Sequence, residues 1–145
     1  MSKKPLVAIA LVTLFLPSAY AEPPAVLRDL ESMSPVTLSK QDLEALLPDT
    51  KVVRVIANGN THIWKNGTDG TFIISSDNRA TTNKSATAPG KWHISDDGRY
   101  CVLIEWRNGT SEDWCRYVMK TADGYYLSRS TKSATEKVYR FEFSK

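Results

Sequence analysis

The sequence predicts a mainly β protein: one antiparallel up-and-down meander forming a strongly curved sheet or small lipocalin-like barrel, with one short N-terminal helix. Two observations set the class and a third sets the curvature. From Lys51 onward, apolar and polar residues alternate in short runs instead of recurring at helical spacing. The runs are broken by Asn58-Gly59, Asp69-Gly70, Asp97-Gly98, Asn108-Gly109 and Asp123-Gly124, dipeptides that supply the left-handed backbone of tight turns. Eight or nine short strands joined in sequence favour closure or strong curvature, because an open sheet leaves unpaired edges.

The first 21 residues are expected to be a signal peptide. Lys3 and Lys4 form a short positive region, Leu6 to Leu16 is apolar apart from Thr13, and Ala19-Tyr20-Ala21 offers a small-x-small cleavage pattern. The apolar run is shorter than the ~20 residues of a spanning helix, so cleavage after Ala21 and no membrane span are expected. What remains, Glu22 to Lys145, is 124 residues, enough for one domain with one core. Loss of Lys3 and Lys4 lowers the formal net charge from +3 to +1, which argues against a nucleic-acid partner. A charge asymmetry persists: residues 22–50 carry two basic and six acidic side chains, residues 116–145 seven and three. Opposite ends of a small domain that attract each other or face water account for it, with a basic C-terminal face as the alternative.

Taken in order, residues 22–36 contain Pro23, Pro24 and Pro35 and read as a linker, with a short helix over Val26 to Met33 as an option; the single β domain is set at 37–145. Ser39 is placed to cap a helix whose third position is Asp42. Leu43, Leu46 and Leu47 give that helix one apolar stripe, and Pro48 ends it. Strands are then expected at Val52–Ala57, Thr61–Lys65, Thr71–Ser75, Lys91–Ser95, Tyr100–Trp106, Thr110–Val118, Tyr125–Arg129 and Val138–Phe143. Arg79 to Ala86 holds either a weak edge strand or a loop. Trp64 and Trp92 stand at the same spacing before Asp69-Gly70 and Asp97-Gly98, a weak repeat that recurring turn chemistry explains.

The hairpin around Arg107-Asn108-Gly109 holds both cysteines. A three-residue loop with Gly109 left-handed pairs Trp106 with Thr110, so paired residues sum to 216 and Cys101 faces Cys115 at a non-hydrogen-bonded, close pair. A structural disulfide is therefore expected, as is usual for two cysteines in an exported chain. Only His62 and His93 could join the cysteines in a metal site, and each sits alone in its own strand; the Cys-x-x-Cys spacing of a redox pair is absent. On this register Val102, Ile104, Trp106 and Trp114 share the side expected to point inward.

Several of these stretches resemble one family. The helix Leu38-Ser39-Lys40-Gln41-Asp42-Leu43-Glu44-Ala45-Leu46-Leu47, the Gly90-Lys91-Trp92 step, Asp97-Gly98-Arg99-Tyr100-Cys101, and Trp114-Cys115-Arg116 with Asp123-Gly124-Tyr125-Tyr126 resemble the small exported bacterial proteins grouped as domain of unknown function 995, over Val36 to Leu127. The resemblance implies a bacterial envelope or secreted location and supports the β fold. It brings no activity and no functional residues.

No motif names an activity. Trp64, Trp92, Trp106 and Trp114 either fill a barrel core or flank a ligand cavity, and are the candidate ligand-binding residues. Glu105 and Asp113 lie together on the cysteine side of the hairpin, where solvation explains them better than acid–base chemistry. His62 and His93 have no identifiable nucleophile beside them. No cofactor or metal is expected. The leading expectation is a non-enzymatic periplasmic or secreted protein that binds a small apolar or amphipathic ligand. The alternative is an inhibitor or immunity-type interaction module that uses loops 76–89 and 128–136 to hold an envelope protein, and an uncharacterised enzyme ranks third.

Overall fold

The computed structural model describes residues 22–79 and 85–145; the expected signal peptide and the middle of the Arg79–Ala86 stretch lie outside the described residues. A four-residue helix, α1 (Leu27–Leu30), and a 3-10 turn (Glu31–Met33) precede strand β1 (Val36–Thr37) and helix α2 (Lys40–Leu46). The strands that follow are β2 (Lys51–Val55), β3 (Thr61–Lys65), β4 (Thr71–Ser76), β5 (Ala86–Ile94), β6 (Tyr100–Glu105), β7 (Ser111–Thr121), β8 (Gly124–Ser128) and β9 (Tyr139–Ser144). From β2 to β9 each strand pairs antiparallel with the next, and β9 returns to β2, so these eight strands close into the expected up-and-down barrel. β1 is an extra strand on β7, with Val36 opposite Lys120.

Turn chemistry sets the register. Thr110 O accepts from Trp106 N at 2.9 Å, Trp106 O accepts from Gly109 N at 3.1 Å, and Gly109 sits at φ 84°, which fixes the Cys101–Cys115 and Val102–Trp114 pairs. A Cβ at that φ would crowd its own backbone, which is why glycine holds the place. Ile56–Asn60, Gly67–Thr71 and Ser95–Arg99 repeat the same two bonds. In three of the four turns the Asn or Asp before glycine also accepts the backbone N–H two residues on, as Asn58, Asp69 and Asn108 do at 2.9–3.0 Å. Cys101 and Cys115 are disulfide-bonded, their Cα atoms 4.0 Å apart.

Alternation along each strand then sorts side chains. Val52, Trp64, Phe72, Ile74, Tyr100, Val102, Ile104, Trp114, Val118, Leu127 and Phe141 fill the interior. Its rings meet mostly edge to face, Tyr100 on Trp114 at 5.6 Å and Trp114 on Phe141 at 5.9 Å, the arrangement favoured by the ring quadrupoles. α2 closes one end. Ser39 Oγ accepts from Asp42 N at 3.1 Å and Asp42 accepts from Ser39 N at 2.8 Å, the expected cap, and Leu43 and Leu47 are fully buried over the core. Buried Asn66 ties this end together: it donates to Leu47 O at 3.1 Å and accepts from Tyr100 Oη at 2.7 Å and Trp64 Nε1 at 3.1 Å. Burial raises the Tyr100 phenol far above its ordinary value, so it stays a donor.

Two expectations change. Residues 22–36 are not a loose linker from Val26 on: Leu30 is fully buried with Met119, Tyr126 and Val138 on the outside of the barrel, and Leu27 N donates to Glu136 O at 2.9 Å. The short-helix option over Val26 to Met33 is met by α1 and the 3-10 turn that follows it. The strand expected at Lys91–Ser95 instead runs Ala86–Ile94 and takes in Pro89 and Gly90, residue types that usually interrupt a strand. Gly90 faces inward under Phe72, where a Cβ would come within 2.2 Å of the ring, so glycine makes room for the aromatic.

Candidate functional site: the open mouth of the barrel

At the end opposite α2, the Ile56–Asn60 and Trp106–Thr110 turns and the residues flanking the β4–β5 connection surround a cavity of about 960 Å³. Its lining mixes polar side chains, Asn58, Asn60, Ser76, Asn78, Ser85 and Thr87 among them, with apolar surface from Trp106, Ile56 and Ala86. His62 and Glu112 line its base.

Barrel geometry brings that base together. Arg54 and His62 are register partners on β2 and β3, and Glu112 comes from β7 on the far wall. Arg54 Nη2 donates to Glu112 Oε1 at 2.8 Å and Oε2 at 3.0 Å, and lies 3.0 Å from His62 Nδ1. Because an arginine nitrogen can only donate, Nδ1 accepts and the neutral imidazole carries its proton on Nε2. Trp106 Nε1 donates to Glu112 Oε2 at 3.0 Å, and the Trp106 and His62 rings are 5.3 Å apart. Below, the Arg54 guanidinium covers the aromatic core, 5.6 Å from the Trp64 ring and 6.0 Å from those of Trp114 and Phe141. The mouth is thus floored by one ion pair seated on packed rings.

Burial works to raise the Glu112 carboxyl, but the Arg54 charge and the hydrogen bonds from Arg54 and Trp106 outweigh it and hold it below its ordinary value. Burial first, and the Arg54 charge second, hold the His62 imidazole below 6.5, against the opposing pull of Glu112 and Asp77. The folded protein therefore takes up this proton less readily than the unfolded chain. The stability His62 contributes is complete above its unfolded value and is lost as pH falls from there through the folded one. Urea midpoints are expected to fall between about pH 7.5 and 5.5 in the wild type. His62→Asn should lose most of that difference, since the shifted aspartates titrate at lower pH.

The four candidate tryptophans separate. Trp106 lines the mouth. Trp64 and Trp114, 2% and 8% exposed, are core. Trp92 lies toward the closed end, half-buried against the edge of Tyr100 with Nε1 donating to Gly67 O at 2.8 Å. Glu105 and Asp113 are exposed on the outer face. His93 is opposite Cys101 and within 4.8 Å of both sulfurs, but these are disulfide-bonded and offer no thiolate to a metal. Loop 128–136 is held by the N-terminal arm, Arg28 N donating to Ala134 O at 3.0 Å.

Sequence reasoning gave no site role to Arg54, Glu112 or Arg116. The signal was present: Arg54 shares the inward phase of Val52, and Glu112 and Arg116 share that of Trp114, so each is a charge at a core position. Arg116, 9% exposed, stacks between the Trp114 and Tyr139 rings at 4.5 Å and 4.3 Å, and burial pushes its guanidinium down to about 10.

Among the described residues no helix is long and apolar enough to cross a membrane. The chain matches no curated protein and no solved structure. A family model described as "Protein of unknown function (DUF995)" matches residues 25–141, which reach from the N-terminal arm to the core-facing Phe141 of β9 and extend past the expected stretch on both sides. The chain belongs to the DUF995 family.

Proposed function

We propose that this barrel is a non-enzymatic binding protein that takes a small amphipathic molecule into its open mouth, and that it acts after export, in the periplasm or outside the cell. The carrying observation is the 960 Å³ mouth with Trp106, His62 and Glu112 at its base, a volume suited to a small-molecule ligand. A wall that sets polar side chains beside apolar surface, over a base holding His62 and Glu112, favours an amphipathic ligand over a wholly apolar one. A binding role rather than catalysis is supported by the floor itself: Arg54 engages both His62 Nδ1 and the Glu112 carboxylate, so neither is poised as a general base. Export is supported by the disulfide and by the leader-like composition of residues 1–21.

The probe 8-anilino-1-naphthalenesulfonate tests this reading. It is expected to bind the folded chain at one saturable site, and Trp106→Ala should weaken binding about tenfold with near-UV circular dichroism otherwise native, as befits loss of a buried aromatic contact. No saturable binding, or binding unchanged in Trp106→Ala, would overturn it.

A further inference from the structure

Arg116 is a charged group that the fold buries without a partner. It lies on the inward face of β7, and its guanidinium makes no hydrogen bond and no ion pair among the described residues. Residues 1–21 and 80–84 contain no Asp or Glu. Glu112, on the same face of the strand, is held by Arg54. Of the groups acting on Arg116, Tyr139 and Glu112 favour its charge and two further cations, Arg54 and Arg129, oppose it. A buried charge with like neighbours is costly unless an opposite charge meets it, and stacking on two rings offsets only part of that cost.

The geometry defines what meets it. The Trp114 and Tyr139 ring centres lie 4.5 Å and 4.3 Å from the guanidinium carbon, stacking distances that leave the guanidinium edge as the part a ligand can meet. Of its three nitrogens, Nε is sealed from solvent, and Tyr139, on the open side, is 41% exposed. An edge framed by two rings admits a flat, two-oxygen anion in the plane of the guanidinium, the bidentate fork of an arginine–carboxylate pair; a tetrahedral anion puts oxygens out of that plane. Trp114 Nε1 and Arg54 Nε are also buried without acceptors, so this part of the interior is rich in donors.

We propose that Arg116 is the docking group for a small organic carboxylate, which enters edge-on between the Trp114 and Tyr139 rings with Arg129 at its approach. None of these residues lines the mouth, and the site is separate from the one proposed above.

The test uses the Nε–H resonance of Arg116 in the folded, ¹⁵N-labelled chain, titrated with acetate at constant ionic strength. The resonance is expected to move along a saturating curve while other arginine resonances move less. Arg116→Lys, which keeps the charge and loses the planar edge, should weaken acetate binding about tenfold, read by ligand-dependent thermal stability. Arg129→Gln, at an exposed position, should weaken it about two- to fivefold. A linear shift shared by all arginines, or Arg116→Lys binding as the wild type does, overturns the proposal, and inorganic phosphate binding as tightly as acetate overturns the assignment of a planar anion.

Discussion

Glu112→Ala is expected to destabilise the barrel by about 3–5 kcal/mol, the cost of leaving a buried charge without its partner. Arg54, 6% exposed, would keep only the bond to His62 Nδ1, and the Trp106 indole would lose its acceptor. Arg54→Met should cost less, about 1–3 kcal/mol, because its partner carboxylate is 33% exposed and water can replace part of what it loses. The double variant Arg54→Met, Glu112→Ala should recover much of the larger loss, since apolar side chains over the Trp64, Trp114 and Phe141 rings leave no charge to compensate. Urea unfolding of the four proteins gives the cycle. If Glu112→Ala and Arg54→Met cost the same and their effects add, the ion pair is not the floor of the mouth.

Reduction of Cys101–Cys115 is the second large effect. The two residues are 14 apart in sequence, and cross-linking so short a loop stabilises by about 3 kcal/mol in the chain-entropy account. For a domain of this size that corresponds to a fall in Tm of roughly 10 °C. The effect should act through the unfolded chain, because pairs Val102–Trp114 and Ile104–Glu112 hold the hairpin without the bond. Folded, reduced protein should therefore keep its near-UV spectrum. Alkylation without reductant should leave the intact mass unchanged, and a thiol adduct would contradict the bond.

These two features differ in how well they can be read from the sequence. The hairpin is local. Asn108-Gly109 fixes the turn, the turn fixes the register, and the register places Cys101 on Cys115 and turns Trp114 inward. The closed meander follows from repeats of that same turn. The floor of the mouth is not local: Arg54 and Glu112 are 58 residues apart and meet only because β9 closes onto β2 and sets the opposite walls of one barrel. Their inward phase is visible in each strand, yet nothing in either strand says which charge lies across the interior. Gly90 and Pro89 mislead for a related reason. Their breaker chemistry is local, whereas the reason for glycine there, the Phe72 ring, comes from the neighbouring strand. Leu30 is hidden similarly, since its burial depends on Met119, Tyr126 and Val138 from three distant segments.

The most direct test of the binding role is native mass spectrometry of the chain purified from the cells that make it. The predicted result is a mass excess of one small molecule, about 200–500 Da for a cavity of this class, stoichiometric with the protein and absent from Trp106→Ala prepared alongside. Bare polypeptide as the sole species, a protein partner in place of a small molecule, or an adduct that Trp106→Ala retains would contradict the mouth of the barrel as its binding site.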